Sequence, residues 1–413
     1  MDIELSNFGK VRKAKIELNG LTVIAGKNDT GKSTVGKAIY ATLKTLAGFP
    51  NEAQRLHNRN IALLLENIIT PLFRDKKYEG SFGEALPVYL MISQLKAKKS
   101  NKEDANDAIE LIESLRKKEK FLFSKKEIQY VIDRIKEMSK EKEFFRILSS
   151  DVFNSVFESN LNNSVHLDDN LSLSYNINRE CVFELMAESN DITEAYINNK
   201  VKDVFLSDAI LIDSPLYLEW QINSSSPYSK DLKNKLKKAS RFKSVFDALS
   251  VAQDLKDVLK DSSFELNEQT KHIEYRVSSK KRSALLDISN IASGAKTFGI
   301  ISLLLKSNVI NPNTMLILDE PENHLHPEWQ IKYAKILVEM AVAKIPILLT
   351  SHSPTLIQAL MQFARKKMDP GYVNFYLASK EDDNYSSFEN VNDDIDRIFS
   401  NLIDPTDVLF DVD

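Results

Sequence analysis

Leu21-Thr22-Val23-Ile24-Ala25-Gly26-Lys27-Asn28-Asp29-Thr30-Gly31-Lys32-Ser33-Thr34 is the stretch that decides the fold. Its first residues form a short apolar-rich run of the kind found in a buried strand. Gly26 and Gly31 bracket a loop, and Lys32–Leu46 then keeps helical spacing. A strand feeding such a loop and then a helix presents backbone N–H groups and a helix N-terminus to phosphate. In that chemistry a lysine reaches the β- and γ-phosphates, and the hydroxyl after it faces Mg²⁺. Gly26, Asn28, Asp29, Thr30, Gly31, Lys32, Ser33 and Thr34 are therefore the candidate triphosphate-binding residues. ATP and Mg²⁺ are the expected cofactors.

Three later motifs follow in order. Leu316-Ile317-Leu318-Asp319-Glu320-Pro321 ends a second apolar strand in two carboxylates. Asp319, at the sheet's C-terminal edge, is expected to hold the metal together with Ser33. Glu320 is expected to orient and deprotonate an attacking water. Thr350-Ser351-His352-Ser353 closes a third buried strand, and His352 is expected to contact the terminal phosphate and that water. Ala292-Ser293-Gly294-Ala295-Lys296 opens an apolar helix carrying Phe298, Ile301, Leu304 and Leu305, with Ser293 placed 26 residues before Asp319. A helix start made of Ser293 and Gly294 can approach a γ-phosphate closely. That phosphate is expected to belong to another subunit, which makes the site composite and implies a homodimer or higher homo-oligomer. His324 and His326 lack a third ligand at metal spacing. They are assigned to the subunit seam.

The rest of the chain supplies context. Short strands are expected at Ile3–Leu5, Lys13–Leu18 and Leu21–Ala25, with Asn19-Gly20 as a hairpin signal between the last two. Parallel strands each followed by a helix predict an α/β fold: an ATPase head with a mixed sheet, an N-terminal β-hairpin region and helical insertions. Residues 1–50 and 265–380 form the expected core, 51–150 a helical insertion, and 151–264 a strand-and-helix lobe with basic helices. The segment 381–413 carries eleven acidic residues and one basic, and reads as a solvated tail or interaction element. Lys230–Lys243 has seven basic residues and one acidic. A solvated helix face is its default reading, with contact to nucleic acid or an acidic partner the open alternative. With 59 acidic residues against 55 basic, the net charge of -4 argues against a surface that coats nucleic acid throughout. Cys181 is the only cysteine, so no intrachain disulfide can form. No charged-then-apolar leader opens the chain and no apolar run approaches the ~18–20 residues of a membrane span. A cytoplasmic protein with no membrane contact is expected.

The first motif with Asn28, the Asn290-x-Ala-Ser-Gly-Ala-Lys element, Glu320-Pro-Glu-Asn-His-Leu-His-Pro and Thr350-Ser-His-Ser-Pro together resemble ATPases of the OLD (overcoming-lysogenization-defect) type. These are relatives of the chromosome-maintenance and recombination-repair ABC ATPases. The resemblance covers residues 1–50 and 270–360. It is closest to stand-alone bacterial AAA-family ATPases of anti-phage systems, such as the Septu ATPase subunit. It implies an ABC-type head, two of which close around two nucleotides, with nucleotide roles at Lys32, Ser33, Ser293, Asp319, Glu320 and His352. The chain departs from the pattern at several positions. Asp29 stands where chromosome-maintenance heads usually have Gly, Lys296 replaces the usual Gln or Glu, and His326 replaces the Asp usual at the seam. No nucleotide-sensing glutamine loop is obvious; Gln94 and the segment 213–221 are its two candidates. OLD nucleases carry a metal-dependent nuclease domain after the ATPase; the 61 residues that follow His352 here are too few for it.

The resulting expectation is an ATPase subunit of a bacterial anti-phage defence complex with no nuclease activity of its own. Its nucleotide state would control a separate effector, an HNH-type nuclease or other toxin, and nucleic acid would be reached through that complex. Hydrolysis is expected to be slow, given Lys296. The alternative is a DNA-repair or chromosome-organising ATPase that binds DNA directly through Lys233, Lys235, Lys237 and Lys238.

Overall fold

The computed structural model describes residues 1–49, 51–74, 90–96, 104–116, 125–162, 170–198, 206–213, 226–239, 251–260, 262–267, 273–278, 283–381 and 384–403. The architecture is mixed α/β, as the alternating strand and helix patterns predicted. Its strands are β1 (Asp2–Phe8), β2 (Val11–Glu17), β3 (Leu21–Gly26), β4 (Leu171–Ile177), β5 (Glu180–Glu188), β6 (Asp191–Ile197), β7 (Asp208–Ile212), β8 (Ser262–Leu266), β9 (Ile273–Ser278), β10 (Ser283–Asp287), β11 (Thr314–Asp319), β12 (Ile347–Ser351), β13 (Val373–Lys380) and β14 (Ser386–Asn390). An 11-stranded sheet runs in the order β6-β5-β4-β1-β2-β14-β13-β3-β12-β11-β7. A second sheet, β10-β9-β8, has three strands.

The helices are α1 (Lys32–Gly48), α2 (Asn51–Arg74), α3 (Asp104–Arg116), α4 (Lys125–Met138), α5 (Glu141–Phe157), α6 (Pro227–Ala239), α7 (Val251–Leu259), α8 (Ser293–Lys306), α9 (Pro327–Val342), α10 (Pro354–Lys367) and α11 (Asp396–Ile403). A further helical stretch covers 90–96. Among the described residues, no helix is long and apolar enough to cross a membrane.

One half of the large sheet is parallel and the other antiparallel. β7, β11, β12, β3 and β13 are parallel neighbours. Every residue of β3 and β12 is buried, so neither strand alternates; each reads as a continuous apolar run, as strands covered on both faces do. β1, β2, β4, β5 and β6 pair antiparallel, and β4 alternates buried with half-buried positions. The register of the parallel half sets the site. Asp319 lies opposite Thr350, Thr350 opposite Ile24, and Ser351 opposite Ala25. The C-terminal ends of β11, β12 and β3 thus meet at one edge. That is the edge where open α/β sheets present ligand-binding loops.

Three expectations are corrected. Asn19-Gly20 does not join a hairpin: β14 and β13 lie between β2 and β3, and the N-terminal hairpin is β1–β2. The turn signal was real, but tertiary pairing sent the two strands to different neighbours. Residues 151–264 do not stand apart as a lobe by sheet, because β4–β6 extend the large sheet from β1 and β7 forms its opposite edge. Nor is the acidic segment after 380 a solvated tail over its described part. β14 inserts between β13 and β2, and Ile398 of α11 is fully buried. Its charges sit at the surface of these elements, as the Arg397–Glu389 pair does, while its sparse apolar residues face the core. Residues 404–413 lie outside the described residues.

The helices of 51–150 hold a small core of their own. Ile61 and Leu65, Ile92 and Leu95, Ala108 and Ile112, and Ile132 and Ile135 pack together there. That core is separate from the main one around the large sheet.

Candidate functional site

The loop between β3 and α1 is shaped by backbone conformations that ordinary side chains avoid. Asp29 has φ 67 and Gly31, the N-cap of α1, has φ 74. Left-handed backbone is cheapest for glycine and next for Asn or Asp, which is why these residues stand there. Gly26 is required for another reason. A Cβ at Gly26 would sit 2.5 Å from the Ala378 carbonyl oxygen of the neighbouring strand. Thr30 is buried and its hydroxyl donates to the Lys27 carbonyl at 2.9 Å, closing the loop from inside. Asn28 is exposed at the loop's tip. Asp29 is exposed too, paired with both Lys10 and Lys380, and the Lys10 contact holds its carboxyl below the usual range. The Thr34 side chain packs against Gly9 in the β1–β2 turn.

Lys32 is the first residue of α1 and is only 3% exposed. Its ammonium donates to the carbonyls of Gly26 (2.9 Å) and Lys27 (2.8 Å) and lies 3.7 Å from Glu320 Oε1. Burial pushes its pKa down, and the carboxylates of Glu320, Asp319 and Glu322 act against that. The Ser33 hydroxyl donates to Asp319 Oδ1 at 2.9 Å, and Thr350 Oγ1 donates to the same oxygen. Asp319 ends β11 in a half-buried position, where burial pushes its carboxyl above the usual range. Glu320 follows with φ 46, its backbone N–H donating to the carbonyl and hydroxyl of Thr350. That turn aims its carboxylate back at Lys32 and at His352, whose Nδ1 is 3.4 Å from Glu320 Oε1.

The register and the two turns therefore bring Lys32, Ser33, Asp319, Glu320 and His352 into one connected cluster. Ser293 and Gly294 are outside it. They open α8 against the segment after Glu320: a Cβ on Gly294 would sit 3.2 Å from the Trp329 ring and 3.4 Å from Leu325. Lys296, of the same motif, is buried. His326 caps α9, its Nδ1 accepting from the Glu328 N–H at 3.4 Å, while His324 sits in the preceding turn at φ 70. Gln94 is exposed in the stretch 90–96, whose Ile92 and Leu95 belong to the insertion's core. Residues 214–221 lie outside the described residues.

One of the four lysines named for the DNA-binding alternative does not face solvent. Lys235 of α6 turns inward, bonding Asp208 at 2.6 Å, Asp231 at 3.1 Å and the Ala209 carbonyl at 2.9 Å. Lys44 of α1 joins the same two carboxylates. α6 is amphipathic with Leu232 and Leu236 buried, so the lysine spaced between those positions follows them toward the sheet. The side chain of Lys238 lies outside the described residues.

Sequence reasoning missed Glu322 and the buried hydroxyls of β12. Glu322 is 4% exposed and its Oε1 accepts from Ser351 Oγ (2.6 Å), His352 N (2.9 Å) and Ser353 N (3.2 Å). Polar Thr350 and Ser351 at the end of an apolar run were the available signal, since hydroxyls in a buried strand need partners.

Chemically, the cluster offers an ammonium and loop amides for phosphate, a hydroxyl–carboxylate pair with hard oxygen donors, and a further carboxylate beside an imidazole. A carboxylate kept from water as Asp319 is, next to a hydroxyl, fits a small hard cation such as Mg²⁺.

Comparison with known proteins bears on the whole chain. A model of the AAA ATPase domain (AAA_15) matches residues 1–357. No curated protein matches. Among solved structures, the SMC head domain from Thermotoga maritima aligns at 12% identity over 94% of this chain and 98% of that one, with a TM-score of 0.41. An SmcHead bound to the C-winged helix domain of ScpA aligns at 10% identity over 94% and 96%, with a TM-score of 0.43. An Smc head with an extended coiled coil, bound to the C-terminal domain of ScpA derived from Pyrococcus furiosus, aligns at 10% over 97% and 98%, with a TM-score of 0.35. Likeness this distant carries no functional argument. With the family match running from the first strand past His352, the chain belongs to the AAA ATPase domain family.

Proposed function

We propose that this chain binds ATP with Mg²⁺ at the Gly26–Thr34 loop and hydrolyses it, with Glu320 and His352 acting at the terminal phosphate. The observation that carries the reading is the contact set in which Lys32 faces Glu320, Ser33 bonds Asp319, and Glu320 meets His352. Gly26, Asn28, Asp29, Thr30, Gly31 and Thr34 form the loop around the phosphates. Ser33 and Asp319 would hold Mg²⁺, which neutralises phosphate charge and orients the terminal group. Glu320 accepts the water's proton, and Lys32 stabilises charge on the phosphate oxygens.

Gly294 packs on Trp329 and Leu325, and we read the site as a composite one completed by the helix start of a second copy. That is the ABC-type arrangement to which the sequence motifs point. Within it, the resemblance to OLD-type ATPases supports an ATPase subunit of a bacterial anti-phage complex acting on a separate effector. The test is ATP turnover by wild type and Glu320→Gln, with molecular mass measured with and without ATP. A chain that stays monomeric with ATP bound and still turns it over ends the composite reading. Tagged protein recovered from its native host without a stoichiometric partner ends the effector reading.

A further inference from the structure

Glu322 belongs to none of the roles above, yet it is one of two buried acids among the described residues, with Glu339. One carboxylate oxygen takes three hydrogen bonds from the single turn Ser351–Ser353. The other is buried without a partner. A buried carboxylate with one idle oxygen is costly, so a structure that keeps it has a use for its charge. The use nearest at hand is the His352 ring. Its Nδ1 is buried, makes no hydrogen bond, and lies 3.5 Å from Glu322 Oε1 and 3.4 Å from Glu320 Oε1. A lone pair on Nδ1 would face two carboxylate oxygens, whereas an N–H there is attracted to both. That approach favours the tautomer with its proton on Nδ1, which leaves Nε2 as an acceptor.

The two carboxylates are not equivalent. Glu320 is partly exposed and accepts at Oε2 from the Asn323 amide alone. Glu322 is fixed by its three donors. We infer that Glu322 is a positioning residue for His352: it clamps the Ser351–Ser353 turn and keeps the Nδ1 proton directed at itself when Glu320 turns to the attacking water. This rests on the ATPase reading for its consequence, though not for its geometry.

The experiment uses the full chain with ¹⁵N-labelled histidine rings. The chain has 6 histidines, and the His352 signals are those missing from His352→Asn. The Nδ1–H tautomer is expected in wild type and retained in Glu320→Gln, because Glu322 still holds the ring. In Glu322→Gln it gives way to a mixture with Nε2–H, and amide exchange at His352 and Ser353 speeds about 10-fold or more. An Nε2–H ring in wild type, loss of Nδ1–H in Glu320→Gln, or an unchanged ring in Glu322→Gln overturns the assignment. If Glu322→Gln does not fold, the first two spectra decide alone. In turnover, Glu322→Gln is expected to lower kcat about 10-fold with KM for ATP within about threefold, as outer-shell partners do. It should add nothing in a His352→Asn background; a multiplied loss there overturns the proposal. The ring measurement needs no hydrolysis, so an inactive wild type defeats the ATPase reading without touching this one.

Discussion

Lys32 and Glu320 face each other across the mouth of the loop, Nζ 3.7 Å from Oε1, while two backbone carbonyls hold the same ammonium. In the proposed function the pair would join the phosphate-binding side of the site to its proton-accepting side. Removing either partner therefore has different consequences. Lys32→Ala is expected to abolish ATP binding in equilibrium titration. Glu320→Gln is expected to keep binding while turnover falls on the order of 10²–10⁴-fold, the range for loss of a general base. Equal turnover in wild type and Glu320→Gln would remove the acid from the reaction.

Asp319 Oδ1 receives hydroxyl protons from both Ser33 and Thr350, an oxygen arrangement that a divalent cation can take over. Asp319→Asn is expected to abolish the Mg²⁺-dependent part of the thermal shift that ATP produces. Any shift produced by ATP with EDTA should survive in the variant. Loss of both together would mean that Asp319 shapes the loop and does not hold the metal.

The loop between β3 and α1 was legible because its conformation is local. Gly26, Gly31 and Lys32 are fixed by backbone conformation and one helix start, and all three fall within a few residues of sequence. Asp319 and His352 were legible for a related reason, since each ends an apolar strand. The clustering of these pieces depends on strand order, which no local pattern carries: β3 sits between β13 and β12, and nothing in Leu21–Gly26 announces either neighbour. Glu322 shows the same limit at one residue. In sequence it is one acid among Glu320, Glu322 and Glu328; only the fold buries it and leaves Glu328 exposed.

Gly26 offers a direct test of that packing. A methyl group there would meet the Ala378 carbonyl oxygen at 2.5 Å, and backbone cannot move aside as a flexible side chain can. Gly26→Ala is expected to cost about 1–3 kcal/mol in chemical denaturation, as overpacking does. ATP affinity should fall with it, because the displaced β13 lines the loop. Unchanged stability would show that β13 yields more readily than its pairing with β3 and β14 implies.

Lys235 separates the two readings of the basic helix. Its bonds to Asp208 and Asp231 leave it 16% exposed, and Lys44 shares the same acids. Lys235→Ala leaves two half-buried carboxylates with one cation fewer and is expected to cost about 2 kcal/mol or more of stability. Affinity for double-stranded DNA at moderate salt should not change. A DNA affinity that drops with Lys235→Ala while stability holds would favour the direct DNA-binding alternative.

His57 predicts how the helical insertion responds to acid. The ring is 2% exposed, stacks on Phe144 at 4.3 Å and meets Ser139 Oγ at 3.3 Å. Burial pushes its pKa from 6.5 down to about 4, so the unfolded chain binds the proton more readily than the folded one. Stability from this group is therefore complete above pH 6.5 and is lost as pH falls from there toward 4. At about 1.4 kcal/mol per pH unit, the loss across that window is roughly 3 kcal/mol. His57→Phe keeps the aromatic contact and removes the titration. Its denaturation midpoint is expected to fall less steeply than that of wild type between pH 6.5 and 4. Parallel pH curves for the two proteins would assign the acid response to other groups.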